Sequence, residues 1–231
     1  KILKNHRTRC SALIKFNDEN ILIDTSPDLR NQLIINKIKS ISKVFYTHLH
    51  GDQTHGINDL RPFFLKNKKK LPVYANLETA KYLYSTFKYC FISNTQYPST
   101  LLLKTLKKIH IFKNKRHKLL IKNIPVRHGR IDSVCYLINN KLAYASDVDL
   151  IYKKDLKTLS KLKYLVIDCL RYSKHPSHFN LDQVLELVRK LKPKKTILTN
   201  MHIDLDYKKL KKILPKNIVP GFDGMEIALQ D

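Results

Sequence analysis

Lys43-Val44-Phe45-Tyr46-Thr47-His48-Leu49-His50-Gly51-Asp52-Gln53-Thr54-His55-Gly56 decides how the rest of this chain is read. Lys43-Val44-Phe45-Tyr46 has the apolar, β-rich character of a buried strand, and it runs straight into a polar loop crowded with histidine. His48 and His50, two residues apart, can turn their imidazoles to one metal ion, and Asp52 adds a harder oxygen donor for a neighbouring ion. Three single residues elsewhere repeat the pattern of a metal donor at a strand end: His128 in Arg127-His128-Gly129, Asp147 in Ala145-Ser146-Asp147-Val148, and His202 in Asn200-Met201-His202. The chain has only five glycines, and Gly51, Gly56 and Gly129 each stand directly beside a histidine. Glycines this sparse mark backbone that needs unusual dihedrals or close approach, so the same loops are singled out twice.

Around this stretch the apolar runs outline the fold. Ser11–Phe16 and Asn20–Asp24, separated by Asn17-Asp18-Glu19, predict a hairpin. Ser26-Pro27-Asp28-Leu29 predicts a helix with Ser26 as cap and Pro27 in its first turn. Leu71–Ala75 reads as a strand and Leu77 to about Phe87 as a helix. Residues 101–140 predict several antiparallel strands, followed by Leu142–Ala145. Tyr164–Asp168 and Thr196–Asn200 predict strands flanking a helix at Leu181–Leu191, and Met225–Leu229 predicts a last edge strand. Strands in hairpin groups, then strands alternating with helices, point to a layered α/β (α+β) fold in a single domain over 1–231.

Composition narrows the function classes. With 231 residues, 43% of them hydrophobic, the chain can build a core and is too apolar for disorder. No apolar run approaches the ~18 residues of a bilayer span, so no membrane partner is expected. Cys10, Cys90, Cys135 and Cys169 never form a CxxC pair, which gives no zinc-ribbon signal and suits a reducing, cytoplasmic compartment. The start, Lys1 to Arg7, has neither an apolar signal region nor an initiator Met, and we expect a missing front end. Against 19 Asp+Glu stand 44 Lys+Arg, a net charge of 44 − 19 = +25. That excess would favour a phosphate backbone through counterion release. Only nine of the 44 are Arg, however, and a Lys/Ile/Asn bias is what an A+T-rich coding sequence produces without a selected partner. A nucleic-acid partner is therefore the second choice, and a homodimer is left open.

Together, His48-Leu49-His50-Gly51-Asp52, His128, Asp147 and His202 resemble the site of the metallo-β-lactamase superfamily. The resemblance implies a four-layered αββα sandwich, here lacking the first N-terminal strand, and one or two divalent transition metal ions, Zn or Mn. It assigns His48, His50 and His128 to one ion, Asp52 and His202 to a second, with Asp147 bridging and Asp52 orienting the nucleophile. Ile23-Asp24-Thr25-Ser26-Pro27-Asp28-Leu29-Arg30, Gly56-Ile57-Asn58-Asp59-Leu60-Arg61 and His175-Pro176-Ser177-His178-Phe179 are similar to the phosphoribosyl 1,2-cyclic phosphate phosphodiesterase group. That branch implies metal-assisted hydrolysis of a small phosphodiester substrate, cyclic ones included, with His178 protonating the leaving oxygen or holding the phosphate. Gln53 departs from the pattern, because the superfamily has a His there and an amide oxygen is the weaker ligand. His55 is expected at a helix start, away from the ions. Two alternatives stay in view: a tRNA 3′-processing endoribonuclease of the same superfamily, and a metal-binding protein whose activity has decayed.

Overall fold

A computed structural model describes residues 3–113 and 117–229. Lys1 and Ile2, where the expectation of a missing front end begins, lie outside the described residues. The chain divides into two compact units, one of residues 8–107 and one that joins the residues up to 7 to those from 108 onward. Each unit holds one β-sheet.

In the first unit, β1 (Ala12–Phe16) and β2 (Glu19–Ile23) form the predicted hairpin, with Asn17 supplying the left-handed turn residue at φ 52°. β3 (Lys43–Phe45), β4 (Leu71–Ala75) and β5 (Leu101–Thr105) follow in parallel, giving the order β1-β2-β3-β4-β5. The helices α1 (Leu29–Ile35), α2 (Gly51–Thr54), α3 (Arg61–Asn67), α4 (Leu77–Thr86) and α5 (Lys88–Phe91) lie between the strands in sequence. The core is built on Leu22, Val44, Tyr46, Val73, Leu83 and Leu101. Gly56 is required by close approach, since a Cβ there would come 1.9 Å from the Ser26 carbonyl oxygen.

The second unit has β6 (Ile109–Lys113), β7 (Lys118–His128), β8 (Ile131–Ile138), β9 (Leu142–Ala145), β10 (Tyr164–Asp168), α6 (Leu181–Leu191), β11 (Lys195–Thr199), α7 (Tyr207–Ile213) and β12 (Ile218–Pro220). Its sheet runs β12-β11-β10-β9-β8-β7-β6, antiparallel from β6 to β9 and parallel from β9 to β12. α6 buries Leu181, Val184, Val188 and Leu191, one stripe at helical spacing, against the β9–β11 core. The carboxyl ends of neighbouring parallel strands therefore lie side by side at one sheet edge, the usual place for a site in such sheets.

Four expectations need correction. Met225–Leu229 is not a strand: the edge next to β11 is taken by β12, whose ladder closes where the Gly221 N–H donates to the Leu198 carbonyl at 2.8 Å. Met225–Ala228 instead line a cleft with Tyr164 and Ile197, so their apolar side chains find neighbours without a ladder. β5 runs parallel to β4 in the first sheet and not within the antiparallel group. α1 starts at Leu29, two residues past Pro27, because Ser26 Oγ accepts the Asp28 N–H at 3.2 Å and makes a separate turn. His55 is the C-cap of α2, not a helix start; its Nε2 lies 3.0 Å from the Tyr82 hydroxyl and its ring packs edge-on against Phe87.

Candidate functional site

In the first unit the donors sit on the loop that β3 delivers. Buried Val44, Phe45 and Tyr46 anchor the strand, and His48, one residue past Thr47, is fully buried while His50 is exposed. His48 Nε2 lies 3.1 Å from His50 Nδ1, and the two rings meet edge-on with centroids 4.7 Å apart. Thr54 tightens the turn between them by donating its hydroxyl to the His50 carbonyl at 2.9 Å. Asp52 stands in the first turn of α2, and the Gln53 amide Nε2 approaches its Oδ2 at 3.5 Å.

In the second unit His128 ends β7, Asp147 follows β9, and His178 lies in the loop from β10 to α6. One ligand atom from each lies within 4.8 Å of the other two, and His128 and Asp147 are buried. Two metal bonds of about 2.0–2.2 Å nearly bridge that span, and two imidazoles with one carboxylate suit Zn or Mn. The donor set therefore fits a divalent transition ion. His128 Nδ1 donates to the Ser177 carbonyl at 2.6 Å, and since a carbonyl only accepts, the neutral ring has its proton on Nδ1 and its lone pair on Nε2. His178 Nδ1 lies 2.6 Å from Asp168 Oδ2, a carboxylate that also accepts the Val148 N–H at 3.0 Å. Burial, and then the neighbouring Asp147, push the Asp168 carboxyl well above the ordinary carboxylate range. Asp147 Oδ1 is held by Asn200 Nδ2 at 3.0 Å, and the same amide donates to the Ser146 carbonyl at 3.1 Å. Gly129 takes φ +63°, and its N–H donates to Asp149 Oδ1 at 2.8 Å, which turns the chain sharply after His128.

The structure thus gathers His128, Asp147 and His178 into one group, and pairs His48 with His50. His202 is exposed and turns to Asp204, with Nδ1 3.1 Å from Oδ2, outside the group of three. The Arg171 guanidinium donates to the Ser173 carbonyl at 3.3 Å and the Lys174 carbonyl at 2.8 Å, fastening the loop that carries His178. Asp206 caps α7 through the Lys209 N–H at 2.8 Å. Buried Cys135 and Cys169 are pushed up to about 12 by burial, so both stay thiols and act as small apolar core residues. Asn200, and Asp168 as the partner of His178, are what sequence reasoning missed. Asp168 ends the buried apolar strand Leu165-Val166-Ile167-Asp168 and Asn200 directly follows Ile197-Leu198-Thr199, and a polar residue at that place is the signal that could have found them.

A family profile described as beta-lactamase superfamily domain matches residues 19–203. A diphosphatase of the PhnP family, known from its crystal structure, is 30% identical with a TM-score of 0.87, covering 97% of this chain and 85% of that one. That likeness shows the metallo-β-lactamase fold expected from the sequence. An octanoyltransferase of Porphyromonas gingivalis is 31% identical over 229 residues, which are 97% of this chain but 46% of that protein. The chain spans about half the length of that relative. A ribonuclease Z of Methanococcus maripaludis is 34% identical over 80 residues, 33% of this chain and 26% of that protein.

Proposed function

The chain belongs to the metallo-β-lactamase superfamily of hydrolases, and from that premise we propose that it hydrolyses small phosphodiesters, cyclic ones included. One observation carries the reading: His128, Asp147 and His178 present a mixed imidazole–carboxylate donor group, two of whose rings have Nδ1 tied to a fixed acceptor. Such anchoring fixes the orientation of both rings, leaving Nε2 of His128 as a ligand nitrogen and Nε2 of His178 as the atom that carries a proton beside the ion. His48, His50 and Asp52 are the further ligand candidates, and His202 is kept as a candidate for a second ion. A bound divalent ion would supply Lewis acidity and a water of lowered pKa. Asp52 offers a carboxylate to orient a nucleophilic water. His178, with Nδ1 on Asp168, can carry a second proton on Nε2 and release it to a leaving oxygen.

Hydrolysis at phosphorus is supported by the diphosphatase, which aligns over most of its own length; the diester class rests on the sequence motifs around Asp24, Gly56 and His178. The octanoyltransferase supplies no substrate class, because its name describes a protein more than half of which this chain does not match. Among the described residues no helix is long and apolar enough to cross a membrane. A second reading, a tRNA 3′-processing endoribonuclease, is favoured by the ribonuclease Z likeness and by the charge of +25. The deciding experiment assays an aryl phosphodiester, a ribose cyclic phosphate and precursor tRNA side by side, with Zn²⁺ and Mn²⁺ supplied separately. Hydrolysis of the small diesters and no tRNA trimming is expected. Efficient trimming would reverse the ranking, and no metal-dependent turnover of any of them would leave a metal-binding protein.

A further inference from the structure

We infer that Asp24 is a positioning residue that, acting through the Thr47 hydroxyl, decides which ring nitrogen of His48 carries the proton; this rests on reading His48 as a metal ligand. Asp24 directly follows β2, is fully buried and sits in the left-handed region at φ 61°. Aspartate enters that region more readily than most L residues, and backbone hydrogen bonds on both sides hold it there. Here the Asp24 N–H donates to the Phe45 carbonyl of β3 at 2.9 Å, and the next residue, Thr25, donates its N–H to the Gln53 carbonyl at 2.8 Å. The Thr25 hydroxyl adds contacts to the Tyr46 hydroxyl at 2.6 Å and the Thr54 carbonyl at 3.0 Å. The end of β2 is thereby fastened to both sides of the histidine loop.

Both carboxylate oxygens then turn to one residue. Asp24 Oδ1 accepts the Thr47 N–H at 2.7 Å, and Oδ2 accepts the Thr47 hydroxyl at 2.8 Å. A threonine hydroxyl has a single proton. With that proton given to the carboxylate, Thr47 Oγ1 can only accept from His48 Nδ1, 3.0 Å away. His48 therefore carries its proton on Nδ1 and presents a lone pair on Nε2. The neighbouring ring agrees with this, because His50 Nδ1 at 3.1 Å can donate to that lone pair when no ion is bound. The relay Asp24–Thr47–His48 makes the ligand nitrogen ready before a metal arrives.

Asp24→Asn tests the relay with little change of shape, since asparagine also tolerates the left-handed region. If the substituted side chain keeps the Thr47 N–H on its carbonyl oxygen, its amide nitrogen faces Thr47 Oγ1 as a donor. The hydroxyl proton then turns to His48 Nδ1, and the His48 proton moves to Nε2. Nitrogen NMR of the metal-free protein should show His48 protonated at Nδ1 in the wild type and at Nε2 in Asp24→Asn. Zinc affinity, measured by chelator competition, should fall about 10–100-fold, the usual loss when an outer partner of a ligand histidine is removed. Thr47→Ser, which keeps the hydroxyl, should retain wild-type tautomer and affinity, and Thr47→Val should lose the affinity; this pair decides should Asp24→Asn not fold. A wild-type His48 with its proton on Nε2, or zinc binding equal in wild type, Asp24→Asn and Thr47→Val, would overturn the relay. A wild-type chain with the expected tautomer and no zinc binding would instead overturn the reading of His48 as a ligand.

Discussion

Gln53 is fully buried in α2, its N–H bonded to the His50 carbonyl at 3.1 Å and its carbonyl to the Thr25 N–H at 2.8 Å. Backbone ties on both sides fix where its side chain starts, so an imidazole in its place would begin from the same point beside Asp52. Imidazole is the better ligand for a borderline divalent ion than an amide oxygen. Gln53→His should therefore raise occupancy of a second ion and the phosphodiesterase rate together, each on the order of tenfold. Metal content by elemental analysis, read beside the rate with Zn²⁺ or Mn²⁺, checks this; an unchanged count and rate would show that position 53 does not limit a second ion. The histidine loop was legible because its donors are close in sequence. Asp24 was carried only as part of the motif 23–30 and its role was not legible, since its effect on His48 passes through a hydroxyl proton of Thr47, and the pairing that brings 24 to 47 is made by parallel β2 and β3.

α6 shows how an element serves the site. Asn180 caps it by accepting the Gln183 N–H at 3.0 Å, while Gln183 Oε1 accepts the Asn180 N–H at 3.0 Å, a reciprocal capping box. The Asn180 amide also donates to the Tyr172 carbonyl at 3.0 Å, and the Leu181 N–H donates to the Arg171 carbonyl at 3.0 Å. The cap thus closes the base of the loop 171–180 that carries His178. Asn180→Ala should cost about 1 kcal/mol from the lost cap, with a further loss of kcat because the loop tether goes with it. Asn180→Asp, which still caps but cannot donate to Tyr172, should keep most of the stability and still lower kcat. Denaturation midpoints at constant m-value and kcat for the two variants separate the two effects. The helix was legible to the residue because its cap, apolar stripe and end are all local. The pairing of β5 and the fate of Met225–Leu229 were not, because which edge a short apolar run joins depends on which strand has already taken it.

At the level of the complete chain the charge of +25 remains, with 35 Lys and nine Arg. A positive field draws anions toward it and raises association rates, and salt screens it over a Debye length of about 10 Å at 0.1 M. This bears on the substrate in a way that the ligand groups cannot, because those groups suit small diesters and RNA alike. A small diester has about one charge to be drawn in, so log(kcat/KM) against log salt should fall with a shallow slope, of magnitude near 1 or less, and kcat should stay flat. A polyanion that contacts Z phosphates releases counterions from each, and a single strand gives a slope of about −0.7Z. Binding of precursor tRNA with a slope steeper than about −4, together with cleavage, would mean that about six or more lysines are engaged and that the basic surface is part of the site. A shallow slope for the cleaved diester and weak, salt-labile, unproductive RNA binding would assign the charge to composition and leave specificity to the loops around His48 and His178.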